Sequence, residues 1–266
     1  MRKYLSIFRI SFAQEFAYRA NFIMWRIRNV MQIFLVFFLW DAVFTDPNRL
    51  VFGYDRSKIL TYVFSLLLIK SIVLSTRTID VAGEIARGEL TNYLLKPINY
   101  FRYWFTRDLS TKLLNLLFAI FETSILVVLL RPPLFLQNDP YILGLFLISL
   151  ALAVVLYFLI LLIFSLFPFW YPEQGWGALF ILFIFTEFAG GGLFPLDILP
   201  QALQKGLYLT PFPYLLFMPL QIYLGKLGVL GAFKALTVSA AWVGLLTVML
   251  RKLWSLGLKA YRAEGR

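Results

Sequence analysis

Residues 141–167 read YILGLFLISLALAVVLYFLILLIFSLF, with no charged side chain anywhere in the run. A helix rising 1.5 Å per residue needs about 20 mostly apolar residues to cross roughly 30 Å of hydrocarbon. This stretch is long enough, so it reads as a membrane-spanning helix and sets lipid as the solvent for the rest of the chain. Working outward, five more spans are predicted near 27–44, 59–79, 113–130, 176–194 and 229–250. The first two are the least clean, because Arg28, Asp41, Lys70 and Arg77 lie within them or at their ends. The expected fold is an all-α membrane protein of six transmembrane helices, forming a single transmembrane domain over 1–266.

Composition agrees. Of 266 residues, 61% are hydrophobic and 15% charged, and the mean hydropathy is +0.78. Soluble domains run at roughly 45–50% apolar and about 25% charged. A soluble enzyme, a disordered chain and a coiled coil are excluded. The chain has no Cys and no His. Disulfides, thiolate chemistry, His-containing triads and His-ligated zinc are therefore impossible, and no metal site is expected. The 28 Phe, 14 Tyr and 7 Trp suit lipid-facing and interfacial surface. The net charge of +11 comes from basic residues that flank apolar runs rather than forming one patch. It points to loops beside anionic lipid, not to nucleic acid.

With six spans, both termini share a side. That side carries Arg2, Lys3, Arg9, Arg19, Arg26 and Arg28, the basic residues between Arg77 and Lys112, and those from Arg251 onward. The opposite side has only Arg49, Arg56, Lys58, Arg131, Lys205 and Lys226. The positive-inside rule then puts both termini in the cytoplasm of a multi-pass cell-membrane protein. Residues 1–28 show no short apolar core ending in a small-residue cleavage site, so no cleavable leader is expected. Leu5, Phe8, Phe12 and Phe16 recur at helical spacing, which predicts an interfacial amphipathic helix over 1–26.

The uncharged stretch 207–224 contains Pro211, Pro213 and Pro219. Proline costs about 3 kcal/mol inside a helix. Residues 193–227 are therefore expected to form a broken, re-entrant hairpin before the last span, since irregular backbone survives at membrane depth only when packed in protein or lining a cavity. No internal repeat is visible, unlike the inverted-repeat transporters.

Three features carry candidate function. The first is the inner loop 80–103, which begins DVAGEIARGELTNYLLKP over 80–97. Val81, Ile85 and Leu94 are expected to share a helical face, while charges of both signs surround them. That composition suits either docking to another protein or a solvated loop. The second is the set of ionisable residues inside spans: Lys70, Glu122 and Glu187. Each costs about 2.5 kcal/mol or more near the bilayer centre, so each is expected to face the bundle interior, a cavity or another of the set. The third is Gly190-Gly191-Gly192 after Glu187, which permits close packing or a hinge. Gly-x4-Gly-Lys-Ser/Thr and Gly-x-Gly-x-x-Gly are both absent, so no nucleotide site is expected in this chain.

Three segments carry a family resemblance. They are Asn21-Phe22-Ile23-Met24-Trp25-Arg26; Gly83–Leu90 with Leu94-Leu95-Lys96-Pro97-Ile98-Asn99-Tyr100; and Gly192-Leu193-Phe194-Pro195-Leu196 followed by Leu199-Pro200 and Thr210-Pro211-Phe212-Pro213. The chain resembles the type-2 permeases of ATP-binding cassette (ABC) transporters, specifically the bacterial daunorubicin- or viologen-exporter-like branch. The resemblance implies an export subunit for an amphipathic or hydrophobic compound. It implies no cofactor on this chain, with ATP and Mg bound by a separate cytoplasmic ABC ATPase, and a second permease subunit, identical or not. It implies that Gly83, Glu84, Ile85, Arg87, Gly88, Glu89, Leu94 and Lys96 contact the ATPase. Glu187, Gly190, Gly191, Gly192, Phe194, Pro195 and Pro211 would line the translocation path or its gate, with the hairpin capping the outer side.

Two other readings stay open on the residues alone. One is an ion-coupled transporter working through Glu187 and Lys70. The other is a membrane-embedded lipid-processing enzyme restricted to carboxylate, Ser, Thr, Tyr and Lys chemistry.

Overall fold

The structure, a computed structural model, describes residues 2–15, 19–44 and 50–261, with side chains at all of these except 2, 15, 19–22 and 25. Among the described residues it is all-helical, with eleven α-helices and no sheet. In chain order they are α1 (Arg2–Glu15), α2 (Arg19–Val43), α3 (Arg56–Val73), α4 (Asp80–Ala86), α5 (Thr91–Leu94), α6 (Tyr100–Leu130), α7 (Pro140–Ser165), α8 (Gly175–Ala189), α9 (Gln201–Tyr208), α10 (Phe217–Tyr223) and α11 (Gly228–Ala260).

The opening stretch of the sequence becomes the hub. Asp139 caps α7 by accepting from Tyr141 N at 2.9 Å, and Pro140 occupies the first turn, where no N–H is needed. α11 lies along α7, and α10, α3, α8 and α4 pack on its remaining sides. Leu156, Tyr157, Leu161 and Leu162 are buried by this packing. α6 and α11 are wrapped only in part. Phe121, Val128 and Leu129 on α6 and Leu230 and Val248 on α11 point outward. Large apolar side chains exposed along whole helices are a liability in water and the ordinary case in lipid.

Three helical segments are long and apolar enough to cross a bilayer by themselves: Tyr100–Leu130, Pro140–Phe169 and Gly228–Ala260. Helices also occupy the other three predicted positions, with different bounds. α2 begins eight residues before the expected 27, so the segment foreseen as one helix over 1–26 comprises α1 and the start of α2. α3 carries Arg56, Lys58 and Lys70, and α8 has 15 residues, about 22 Å of helix. Within α1, Phe8 and Phe12 stack with centroids 6.5 Å apart and are half-buried, whereas Leu5 is exposed. Phe16, the fourth member of the predicted face, lies outside the described residues, as do Arg49, Arg262 and Arg266.

The stretch 193–227 is broken as its prolines require. Leu196–Ile198 and Phe212–Tyr214 are single 3-10 turns, separated by α9 and followed by α10. Pro219 falls in the first turn of α10, where a missing N–H costs no intrahelical bond.

The end of α11 is held by close aromatic packing. Phe169, just after α7, meets Trp254 at 5.7 Å and Tyr261 at 5.8 Å between centroids. A Cβ on Gly257 would lie 2.6 and 2.8 Å from Cε2 and Cγ of that ring. We expect Gly257→Ala to lower the melting temperature in mild detergent through overpacking of about 1–3 kcal/mol. Adding Phe169→Leu should restore part of the loss.

Candidate functional site

α4 runs into a turn at Arg87-Gly88. Gly88 has φ +74°, and Glu89 N donates to Glu84 O at 2.9 Å. This left-handed stop ends the helix, and it explains one departure from expectation. Val81 and Ile85 face inward and are buried, but Leu94 sits past the turn on α5 and is 47% exposed. A helical repeat cannot be carried across a left-handed residue.

The eight residues assigned to the ATPase contact therefore divide. Glu84 and Ile85 are buried in this chain, and Gly83 is half-buried. Gly88 and Glu89 are half-exposed, while Arg87, Leu94 and Lys96 are exposed. Leu95, absent from the predicted set, is 82% exposed and is the most prominent apolar side chain of the tip. Arg87 grips Glu89 with two bonds of 2.9 and 2.8 Å. That bond holds the Glu89 carboxyl below its usual range. Lys96 lies 5.4 Å from the Tyr93 ring centre.

Aromatic rings clamp this tip from behind. Tyr100 stacks on Trp254 at 5.1 Å, Phe101 meets the same indole at 5.0 Å, and Tyr93 meets Tyr103 at 5.2 Å. Thr91 N donates to Tyr261 Oη at 3.3 Å, and Lys3 Nζ donates to Pro97 O at 3.0 Å. Tyr100 Oη donates to Glu84 Oε2 at 2.9 Å. Burial pushes the Glu84 carboxyl above its usual pKa, partly offset by hydrogen bonds from Tyr93 and Tyr100. The tip is thus tied to α1, α6 and α11 together.

The second predicted group lies at the end of α8. Lys70 Nζ donates to Glu187 Oε2 at 2.6 Å and to Gly192 O at 2.9 Å. Two of the three ionisable span residues therefore satisfy each other. Gly191 has φ +81°, and a Cβ there would meet Tyr62 Oη at 2.8 Å and Phe217 Cβ at 2.9 Å. Tyr62 Oη donates to Gly191 O at 2.6 Å, and Phe217 N donates to Gly190 O at 3.0 Å. Gly190, Gly191, Gly192 and Pro195 are buried, while Phe194 and Pro211 are half-buried. Phe194 packs edge-on against Phe188 at 5.8 Å.

Several polar contacts were not foreseen. Glu122 pairs with Arg26, whose Nε donates at 2.6 Å and whose Nη2 also engages the carboxylate. Arg26 reads in sequence as part of the basic lead-in. Beyond Gly192, Asp197 accepts from Tyr54 Oη at 2.9 Å and from Lys226 Nζ at 2.7 Å, and Gln221 donates to the same Tyr54 hydroxyl. At the other end of α3, the buried Lys112 donates to Val73 O at 2.9 Å and Ser75 O at 2.6 Å, with Asp108 Oδ2 at 3.2 Å. Except for Asp108 and Lys112, which are four residues apart on α6, these partners lie tens of residues apart, so no local signal announces them. The detectable hint is a charge inside an apolar run, which demands a partner without naming it.

Residues 30–265 match the family described as ABC-2 family transporter protein. The chain belongs to that family. No curated protein matches it. As an ABC-2 membrane component it is a multi-pass membrane protein, and such components are normally permeases without an ATPase of their own, generally paired with an ATPase subunit. The ABC-2 membership gives the tip and the α8 end a common setting, but it names no substrate.

We expect Lys70→Met or Glu187→Leu alone to destabilise the protein in detergent by about 1–3 kcal/mol, because each leaves a half-buried polar partner without its hydrogen bond. The double variant should recover most of the loss, giving a clear coupling term in a double-mutant cycle. Glu84 supplies a pH test. An acid whose folded pKa is raised contributes stability that is present below its unfolded pKa and lost as pH rises through the folded value. Hydrogen-exchange protection of residues 80–97 should therefore fall as pH rises above the usual carboxylate range. Glu84→Gln, which still accepts from Tyr100, should flatten that dependence.

Proposed function

We propose that this chain is one permease subunit of an ATP-driven exporter, moving an amphipathic or hydrophobic compound outward across the cell membrane. ATP and Mg are bound by a separate cytoplasmic ATPase, and a second permease subunit, identical or not, completes the path. The observation that carries this reading is the tip at residues 87–96: exposed Leu94 and Leu95 in one short segment with Arg87, Glu89 and Lys96, on a base of packed aromatic rings. An exposed apolar centre with a charged rim is the anatomy of a docking patch. The direct contacts are Arg87, Gly88, Glu89, Leu94, Leu95 and Lys96, while Glu84 and Ile85 shape the base.

Six crossings and cytoplasmic termini fit this arrangement. α8 spans about 22 Å, short of the roughly 30 Å of hydrocarbon. The irregular segment after Gly192 then completes the crossing as a re-entrant hairpin. Its polar backbone is sheltered by α3, α7 and the Tyr54–Asp197–Lys226 cluster. Movement of the ATPase reaches this hairpin through a line of stiff joints. The tip is fixed to α6, and Lys112 on α6 grips the carbonyls of Val73, at the end of α3, and of Ser75 just beyond it. Lys70 and Tyr62 on α3 in turn hold Glu187 and the glycines that lead into the hairpin.

Leu95→Glu is expected to reduce co-purification of the co-expressed ATPase by more than tenfold and to abolish the stimulation of ATP turnover. The melting temperature of the permease should stay unchanged, because the side chain is exposed. Exchanging Gly88 and Glu89 should act in the same direction. Undiminished ATPase binding in both variants, or uphill transport by the chain alone driven by an ion gradient, would overturn the proposal.

A further inference from the structure

An open groove of about 400 Å³ lies between α1, α6 and α7, lined by Tyr4, Phe101, Arg102, Phe105, Thr106 and Phe158. It lies behind the docking tip, sharing Phe101 with the tip's aromatic base, and apart from the Lys70–Glu187 contact at Gly192. Four of its six lining residues are aromatic, and Arg102 is the one charge among them. The Arg102 side chain is exposed, and among the described residues no carboxylate, ring or carbonyl engages its guanidinium. The Thr106 hydroxyl is used internally, donating to Arg102 O at 2.8 Å.

Two helices fix the depth of this groove. α6 has 31 residues, about 46 Å, which exceeds the hydrocarbon thickness. Its apolar stretch begins only at Leu113, so Phe101–Thr106 project past it to the level of the headgroups. Phe158 sits seven residues before the end of the uncharged α7, about 10 Å inside that end. Phe105 and Phe158 touch edge-on with centroids 5.0 Å apart. The two rings therefore stand at one depth, and the groove lies at the polar boundary, where the uncharged end of α7 meets the charged start of α6.

We propose that this groove binds one anionic phospholipid from the leaflet on the docking-tip side, with an acyl chain along Tyr4, Phe101, Phe105 and Phe158 and the phosphate on Arg102. The occupant must be apolar for most of its length and negative at one end, and it must be abundant where the groove opens. A membrane phospholipid meets all three conditions. A peptide would bring backbone amides that the aromatic walls cannot satisfy. A guanidinium free to offer several donors suits a phosphate better than a single point charge does. This reading stands whether or not an ATPase docks on the tip.

The test is native mass spectrometry of the purified chain from mixed micelles containing phosphatidylglycerol or phosphatidylcholine. The wild type should retain one phosphatidylglycerol per chain, and phosphatidylcholine at least fivefold more weakly. Attraction of about fivefold per basic side chain, replaced by repulsion of similar size, predicts roughly 30-fold weaker retention in Arg102→Glu. Arg102→Lys should keep most of it. Thr106→Trp, which fills the groove, should lose both lipids. Arg251→Glu, a charge change on exposed α11, should change nothing. Excess inorganic phosphate should not displace the lipid. The proposal fails if Arg102→Glu retains phosphatidylglycerol like the wild type, if phosphatidylcholine is held equally well, or if free phosphate alone empties the site. Should Thr106→Trp not fold, the Arg102→Glu and Arg102→Lys pair decides, because that side chain is exposed.

Discussion

A carboxylate within an uninterrupted apolar helix is costly unless a donor stands beside it, and in this fold Lys70 answers Glu187. The bond joins the later part of α3 to the end of α8, and Lys70 reaches past it to the Gly192 carbonyl. That carbonyl belongs to the first non-helical residues after α8, which have no helical partner of their own. One lysine thus neutralises a charge and satisfies loose backbone at once. Tyr62 does the same for Gly191. Without these donors, the backbone after α8 would carry unsatisfied groups into an apolar surrounding, and the chain could not break its helix there.

The same economy recurs along α3. Its far end is closed by Lys112, which supplies donors to Val73 O and Ser75 O while meeting Asp108. Its beginning is tied to the segment after α8 through Tyr54 and Asp197. α3 is therefore bonded at both ends and near its middle to elements that follow it by tens of residues. Buried ion pairs of this kind add little net stability, but breaking one partner is costly. Their value here lies in register: they fix which residue of one helix stands opposite which residue of another.

The tip at residues 87–96 follows a different rule. Its base is aromatic and dry, with Trp254 receiving Tyr100, Phe101 and Phe169. Its outer surface is a pair of leucines with charges around them. These rings and the Thr91–Tyr261 bond tie the tip to α6 and to the end of α11. The sequence shows that this stretch mixes charge with apolar residues, and it places the residues involved. It does not show that Ile85 turns inward while Leu95 turns outward, because the left-handed Gly88 resets the helical phase between them.

From sequence alone, lipid as the solvent, an all-helical fold, membership in a permease family, the broken segment around its prolines and the need of Lys70, Glu122 and Glu187 for partners were all legible. The family rested on the resemblance of three motif stretches; the others follow from local composition: the length of an apolar run, a missing proline N–H, the cost of a charge in hydrocarbon. Tertiary structure alone decided the pairings. Glu122 with Arg26, Lys112 with the carbonyls after α3, Asp197 with Tyr54 and Lys226, and the open aromatic groove beside Arg102 arise from helices far apart in the chain being set side by side. A local pattern states what a side chain needs, but only the packed bundle determines which neighbour comes within reach to supply it.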